Sequence, residues 1–148
     1  MTYSVQEVSR LLKMNIHTIR YYTDQELIPD LKRDKHGYRQ FDEESINWLI
    51  IVYYLRQCEM TIEQIRHYIV LCQKGNPTLE ERYQIIKQLR VKTEQQINDA
   101  QKRLIFLNEK LEQFDQIRQG EIADELNPLN WTDKKDRFIT EQHNTNKT

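Results

Sequence analysis

The residues best suited to chemistry lie in one short segment, HTIRYY, at positions 17–22. An imidazole, a hydroxyl, a guanidinium and two phenols stand here within about two helical turns. Arg20 suits a guanine edge or a phosphate oxygen, and Tyr21 and Tyr22 suit phosphate or a packed interior. The segment therefore favours contact with a nucleic acid, and the alternative is that it only packs against a neighbouring helix.

A second group of cations follows the segment and surrounds the turn-forming sequence DKHG, residues 34–37. It comprises Lys32, Arg33, Lys35, His36 and Arg39. Alternating apolar residues and Gly37 predict a two-stranded hairpin, which we call the wing (residues 30–41). Cations at the edge of a hairpin suit phosphates beside a minor groove. A solvated turn is the alternative, because Asp30 and Asp34 offset part of the charge.

Two short helices must position the HTIRYY segment. Ser4 and Glu7 form a capping box that opens the first helix, and Asn15 is the cap of the second. The first helix has an apolar face made of Val5, Val8, Leu11 and Leu12. Two such helices separated by about three residues are typical of a helix-turn-helix, whose second helix enters a major groove.

The rest of the chain predicts three more helices. Asp42 caps the third, Thr61 with Gln64 caps the fourth, and Gly75-Asn76-Pro77 is the clearest break. A long helix follows, without glycine or proline until Gly120. Its apolar seam contains Ile86, Ile97, Ala100, Leu104, Leu107, Leu111 and Phe114, interrupted at Arg90 and Thr93. A helix of about 40 residues spans about 60 Å, so a small domain cannot bury the seam, and we expect a homodimer.

These patterns predict three parts and an all-α fold with a small two-stranded wing. Residues 1–75 form a winged helix-turn-helix DNA-binding domain, and residues 78–119 form a coiled-coil dimerisation helix. Residues 120–148 form a polar C-terminal tail that we expect to be partly disordered, especially EQHNTNKT at its end.

The two motifs together resemble a known family. IRYYTDQELIP (19–29) followed by RDKHGYRQFDEESINWL (33–49) is similar to the MerR family of transcription regulators. That family has IRYYE-x-x-GLI-P and then a wing with R-x-x-x-GYR-x-Y/F. The resemblance covers about Tyr3 to Leu71, and the departures are Thr23, Glu26 and Gln40. Glu26 stands where the family has glycine, a residue that permits a left-handed backbone.

The resemblance implies a homodimer, tied by an antiparallel coiled coil, that binds double-stranded promoter DNA and distorts it for RNA polymerase. Distortion of this kind controls transcription through DNA shape. Carried over by position, the DNA-facing residues are His17, Thr18, Arg20, Tyr21, Tyr22, Arg33, Tyr38 and Arg39.

The sequence indicates less clearly which signal the protein senses. Metal-sensing relatives have cysteines at the start of the long helix, but Thr78 to Arg82 contains none, so we expect no metal and no other cofactor. INWLIIVYYLRQCEMTIEQI (46–65) is similar to the branch that responds to aldehydes or thiol stress. That branch has its cysteine at the position of Tyr54, whereas Cys58 lies one turn later. Cys58 is therefore a possible sensor, and a small packed residue is the alternative.

Other classes of protein are disfavoured. The sequence contains no phosphate-binding glycine loop, HExxH or GxSxG motif, so we expect no enzyme. The longest apolar run, WLIIVYYL, is too short to cross a bilayer, and the two cysteines make no disulfide framework, so we expect a cytoplasmic protein. A coiled-coil adaptor whose helix-turn-helix contacts protein remains the alternative function.

Overall fold

The structure is a computed structural model, and it describes residues 1–146. In chain order its elements are α1 (Val5–Leu12), α2 (Ile16–Asp24), β1 (Lys32–Arg33), β2 (Arg39–Gln40), α3 (Glu43–Gln57), α4 (Ile62–Lys74), α5 (Leu79–Arg118) and α6 (Lys134–Thr145). Short 3-10 helices lie at Asn76–Thr78 and Pro128–Asn130. The predicted fold class, mostly helical with a two-stranded wing and a long helix, is confirmed.

The helices begin where their side-chain caps stand. Ser4 and Thr61 form complete capping boxes with Glu7 and Gln64, and the Asn15 side chain accepts a hydrogen bond from the backbone of His17. The Asp42 carboxylate accepts from the Ser45 backbone at 2.8 Å, and this bond holds the pKa of Asp42 below its usual range. These four caps are therefore confirmed, because each depends only on residues two or three positions apart. The sequence also predicts a capping box of Thr78 with Glu81, but the Thr78 hydroxyl donates to the Leu71 and Gly75 carbonyls.

The chain divides into two compact units, Met1–Thr93 and Glu94–Thr148. The first unit contains a single apolar core to which α1, α2, α3, α4 and the wing contribute. Its fully buried side chains include Val8, Ile19, Phe41, Leu49 and Ile65. Burying each such side chain contributes about 1.5–3 kcal/mol. This core sets the orientation of α2, which carries the HTIRYY segment.

The wing is anchored to the start of the chain. Tyr3 and Phe41 exchange two backbone hydrogen bonds of 2.8 Å, and Phe41 is fully buried beneath them. The Thr2 hydroxyl donates to the Gln40 side chain at 2.9 Å. The base of the wing is therefore part of the folded unit, while its tip projects as a turn.

The second unit contains the later part of α5 and the residues that follow it. Asp124 accepts backbone hydrogen bonds from Leu126 and Asn127, and the Trp131 indole donates to the Glu125 carbonyl at 2.6 Å. We predicted a polar, partly disordered tail, and in the structure α6 occupies Lys134–Thr145. The disorder of the last residues stays a prediction. The prediction for positions 147–148 lies outside the described residues.

None of the helices in the described part of the chain is both long enough and apolar enough to span a membrane.

Candidate nucleic-acid interface

Helix α2 is held by its apolar face and offers its other face to solvent. Ile19 is fully buried and fixes the rotation of the helix against the core. As a result His17 and Tyr21 are exposed, and Thr18 and Arg20 are partly exposed. Four of the five α2 residues predicted to face DNA are therefore accessible at the surface.

Tyr22, which was also predicted to face DNA, is the exception. Its side chain is only 6% exposed and belongs to the core, which is the alternative that the sequence left open. Burial raises the pKa of Tyr22, and the nearby Arg56 guanidinium partly opposes that rise. Since Tyr22 lies one turn after Ile19, it continues the same buried face.

The end of α2 has an unusual backbone. Glu26 has a φ of 57°, so this glutamate adopts the left-handed conformation that the family reserves for glycine. The conformation costs a residue other than glycine roughly 1–2 kcal/mol. It permits the backbone of Leu27 to donate to the Tyr22 carbonyl at 3.1 Å, and Leu27 is fully buried. The departure at Glu26 thus leaves the family's turn in place.

The wing turn is closed by one carboxylate. Asp34 Oδ1 accepts from the backbone of His36 at 2.8 Å and of Tyr38 at 3.0 Å, and Gly37 has a φ of 82°. Arg33 Nη1 donates to the Gly37 carbonyl at 2.8 Å. Asp34 therefore has a structural role in the basic wing, because two backbone N–H groups of the turn donate to the same carboxylate oxygen.

The predicted wing residues differ in their surroundings. Arg33 is exposed, and Tyr38 is 69% exposed with its ring 6.4 Å from that of His36. Both are available to an external partner. Arg39 is different, because its side chain is only 19% exposed and its Nη2 lies 2.6 Å from Asp24 Oδ1.

Side chains from α2 and the wing border one surface cleft. The cleft has a volume of about 450 Å³, and its walls include Arg20 from α2, Tyr38 and Arg39 from the wing, and the first turn of α1. Arg20 brings a guanidinium to this concave surface, whereas the charge of Arg39 is paired with Asp24 and the Asp34 carboxylate also lines the cleft. The structure thus brings together predicted residues from two motifs that lie far apart in the sequence.

Two residues that matter to this surface were missed by the sequence analysis. Asp24 binds Arg39, and Arg66 Nη2 of α4 donates to the Gln25 carbonyl at the end of α2 at 2.9 Å. Arg66 also pairs with Glu63 at 2.6 Å. Nothing in the local pattern around Asp24 or Arg66 indicated these contacts, since they join residues 15 and 41 positions apart.

The predicted dimerisation residues lie on the exposed surface of α5. Among them are Ile86, Ile97, Leu104, Leu107, Leu111 and Phe114, which are 44–62% exposed, and Ala100, which is also exposed. Such a row of large apolar side chains in water marks a surface that a partner covers.

The two cysteines have different environments. Cys58 is exposed at the end of α3, where its backbone donates to the Tyr54 carbonyl at 3.1 Å. Cys72 is partly buried, and burial raises the pKa of its thiol, although the Arg82 guanidinium opposes the rise. Cys58 is therefore the more accessible thiol. In the described range 1–146, no three histidine, cysteine or acidic side chains come together in a way that would hold a metal.

A helix-turn-helix, a wing packed beside its second helix and a long exposed helix define a winged helix-turn-helix protein. The model of the MerR HTH family regulatory proteins matches residues 3–70. A crystal structure of a MerR-family transcriptional regulator from Bacillus thuringiensis is 31% identical, with a TM-score of 0.63, and the match covers 76% of this chain and 99% of that one. The chain belongs to the MerR family of transcription regulators.

Two further similarities extend the comparison. The chain is 32% identical over 83 residues to the HTH-type transcriptional regulator AdhR of Bacillus subtilis, covering 56% of this chain and 59% of that protein. The fold also matches HiNmlR, a MerR family regulator lacking the sensor domain, solved bound to promoter DNA. That match has a TM-score of 0.65 and 24% identity, and it covers 80% of this chain and 94% of that one.

Proposed function

We propose that the protein is a homodimeric regulator that binds promoter DNA through α2 and the wing and alters the shape of the duplex. The observation that carries the proposal is the shared cleft, at which Arg20 of α2 and the wing residues Tyr38 and Arg39 meet. In a winged helix-turn-helix the second helix reads the major groove, and hairpin cations suit the flanking phosphates. His17, Thr18 and Tyr21 would then face the groove beside Arg20.

The dimer follows from the apolar row on α5. Antiparallel pairing of the two α5 helices is the arrangement that the resemblance to the MerR family implies, and it would cover the apolar row of each copy with that of the other. A two-fold dimer presents two copies of α2, so we expect a pseudo-palindromic operator.

Distortion of the duplex is the way in which such a dimer would act on transcription. Two second helices held at a set separation favour DNA whose grooves are bent or untwisted to meet them, and the cost of deformation depends on sequence. RNA polymerase at the same promoter would be the partner that reads the altered shape. We assign the protein a cytoplasmic location and no enzymatic activity as parts of this proposal.

The test is a titration of the protein onto duplexes taken from upstream of its own and neighbouring genes, at 50 and 200 mM KCl. We expect specific binding that weakens steeply with salt, by about 10³-fold or more if six or more phosphates are contacted. A duplex of shuffled sequence is the control and should bind more weakly. The alternative is a coiled-coil adaptor, which binds protein and would show no affinity for any duplex at low salt.

We propose Cys58 as the residue that senses the signal, because its thiol is exposed. We expect a thiol-reactive aldehyde to change the footprint of the wild-type protein on its promoter, and the change to be lost in Cys58→Ser. An exposed thiol is open to alkylation. Cys72 is partly buried and burial raises its pKa, so less of Cys72 is present as the reactive thiolate than of an ordinary thiol. The matched control is therefore Cys72→Ser, which should respond to the aldehyde as the wild type does. A Cys58→Ser protein that still responds would exclude this sensor.

A further inference from the structure

We propose that Arg39 acts on DNA binding as a positioning residue, which holds the wing against the end of α2 through Asp24 and does not itself bind a phosphate. This inference rests on the proposed DNA-binding function and assigns a role within the same surface. It differs from the role that the sequence suggested for Arg39, and it adds Asp24 to the residues on which DNA affinity depends.

The first step of the argument is the burial of Arg39. Its side chain is 19% exposed and its Nε is buried, whereas the wing residues Lys32, Arg33 and Lys35 are exposed. A phosphate contact needs a cation that reaches outward, and these three satisfy that need. The guanidinium of Arg39 instead points at a neighbouring element and meets Asp24 at 2.6 Å.

The second step concerns what the pair joins. Asp24 is the last residue of α2, and Arg39 is the first residue of β2, so their bond joins the two elements that must dock on DNA together. The Asp24 side chain is 61% exposed, and its carboxylate pairs with Arg39 of the wing. The shared cleft between Arg20 and Tyr38 would change shape if the wing moved relative to α2.

The third step is the charge pattern inside the wing. Arg33 and Arg39 are direct partners in the register of β1 and β2, and like charges in that relation destabilise a hairpin. The structure separates their roles, because Arg33 donates to the Gly37 carbonyl while Arg39 pairs with Asp24. Removing Asp24 would leave two opposed guanidinium groups, which weakens the wing as well as its link to α2.

A positioning role and a phosphate contact for Arg39 predict opposite effects of Asp24→Asn on DNA affinity. Asp24→Asn removes a negative charge near DNA, so electrostatics alone would tighten binding. If Asp24 holds Arg39 in a positioning role, the same change loosens the wing and weakens binding. We expect about a twofold to fivefold loss of affinity for the specific duplex, the range for one partly exposed ion pair.

The experiment uses the full-length protein and duplexes that the wild type enriches from a random-sequence pool. Affinity is measured against KCl concentration for wild type, Asp24→Asn and the double variant Asp24→Asn/Arg39→Gln, which keeps the net charge of the pair. The positioning role predicts that both variants bind the specific duplex more weakly than the wild type does. Circular dichroism and sedimentation confirm that each variant is folded and in the wild-type oligomeric state.

Two matched controls accompany the variants. Asp30→Asn removes an exposed acid from the first position of the wing, where asparagine accepts the positive φ of 53°, and should not weaken binding. Lys35→Gln removes an exposed wing cation and should lower the salt slope by about one if it contacts a phosphate. This control shows that the assay detects the loss of a single contact.

The outcomes separate the inference from the function on which it rests. Tighter or unchanged binding by Asp24→Asn overturns the positioning role. Failure of the wild type to enrich any duplex would instead overturn the proposed DNA-binding function.

Discussion

Leu107→Glu on α5 is expected to convert the protein from a dimer into a monomer. Leu107 is 54% exposed in the protomer and lies within the apolar row that we propose to be covered by a second copy. Each dimer would lose two buried leucines, at about 1.5–3 kcal/mol each, and would gain two carboxylates at an apolar seam. The total of about 3–6 kcal/mol raises the dimer dissociation constant by roughly 10²- to 10⁴-fold.

Sedimentation velocity over a range of protein concentrations measures this effect. The matched control is Asn98→Glu, which adds the same charge about two and a half turns away, on the opposite side of the helix, and should leave the dimer intact. The monomer would offer only one α2 to DNA, so specific binding should fall together with dimerisation. A Leu107→Glu protein that sediments as the wild type does would contradict the assignment of this face to the dimer.

Arg20→Ala is expected to weaken binding to the specific duplex by about 1–3 kcal/mol, or roughly 5- to 150-fold, if Arg20 reads a base. Arg20 is partly exposed on α2 and borders the cleft it shares with Tyr38 and Arg39. A bidentate guanidinium contact with guanine accounts for the size of the effect, because its loss leaves the base edge unpaired.

Fluorescence anisotropy with specific and shuffled duplexes checks the prediction. A base contact weakens binding to the specific duplex alone, whereas a phosphate contact weakens both and lowers the salt slope by about one. Lys74→Ala, which removes an exposed cation from the last turn of α4, is the control and should bind as the wild type does. Unchanged affinity of Arg20→Ala would remove Arg20 from the interface.

The sequence predictions are accurate for features that depend on residues close together in the chain. The caps at Ser4, Asn15, Asp42 and Thr61 were predictable, because an N-cap bond closes within three residues and depends on residue type and spacing. The same is true of the wing turn, which needs a residue that accepts positive φ, and of α5, whose long run lacks helix breakers. The helix α6 was missed, since its sequence is mostly polar and no side chain caps its first turn.

The sequence by itself thus determined the order of the helices, the wing and the exposed apolar row on α5, through local hydrogen bonding and periodicity. The spacing of Ile19 and Tyr22 places both on one face of α2, and only the packing of that helix in the tertiary structure decided how deeply Tyr22 is buried while Tyr21, about 100° away, is exposed. The tertiary structure likewise decided that Arg39 meets Asp24 and that Arg66 meets the Gln25 carbonyl. These contacts join residues that approach each other only after the core has formed, so no local pattern encodes them.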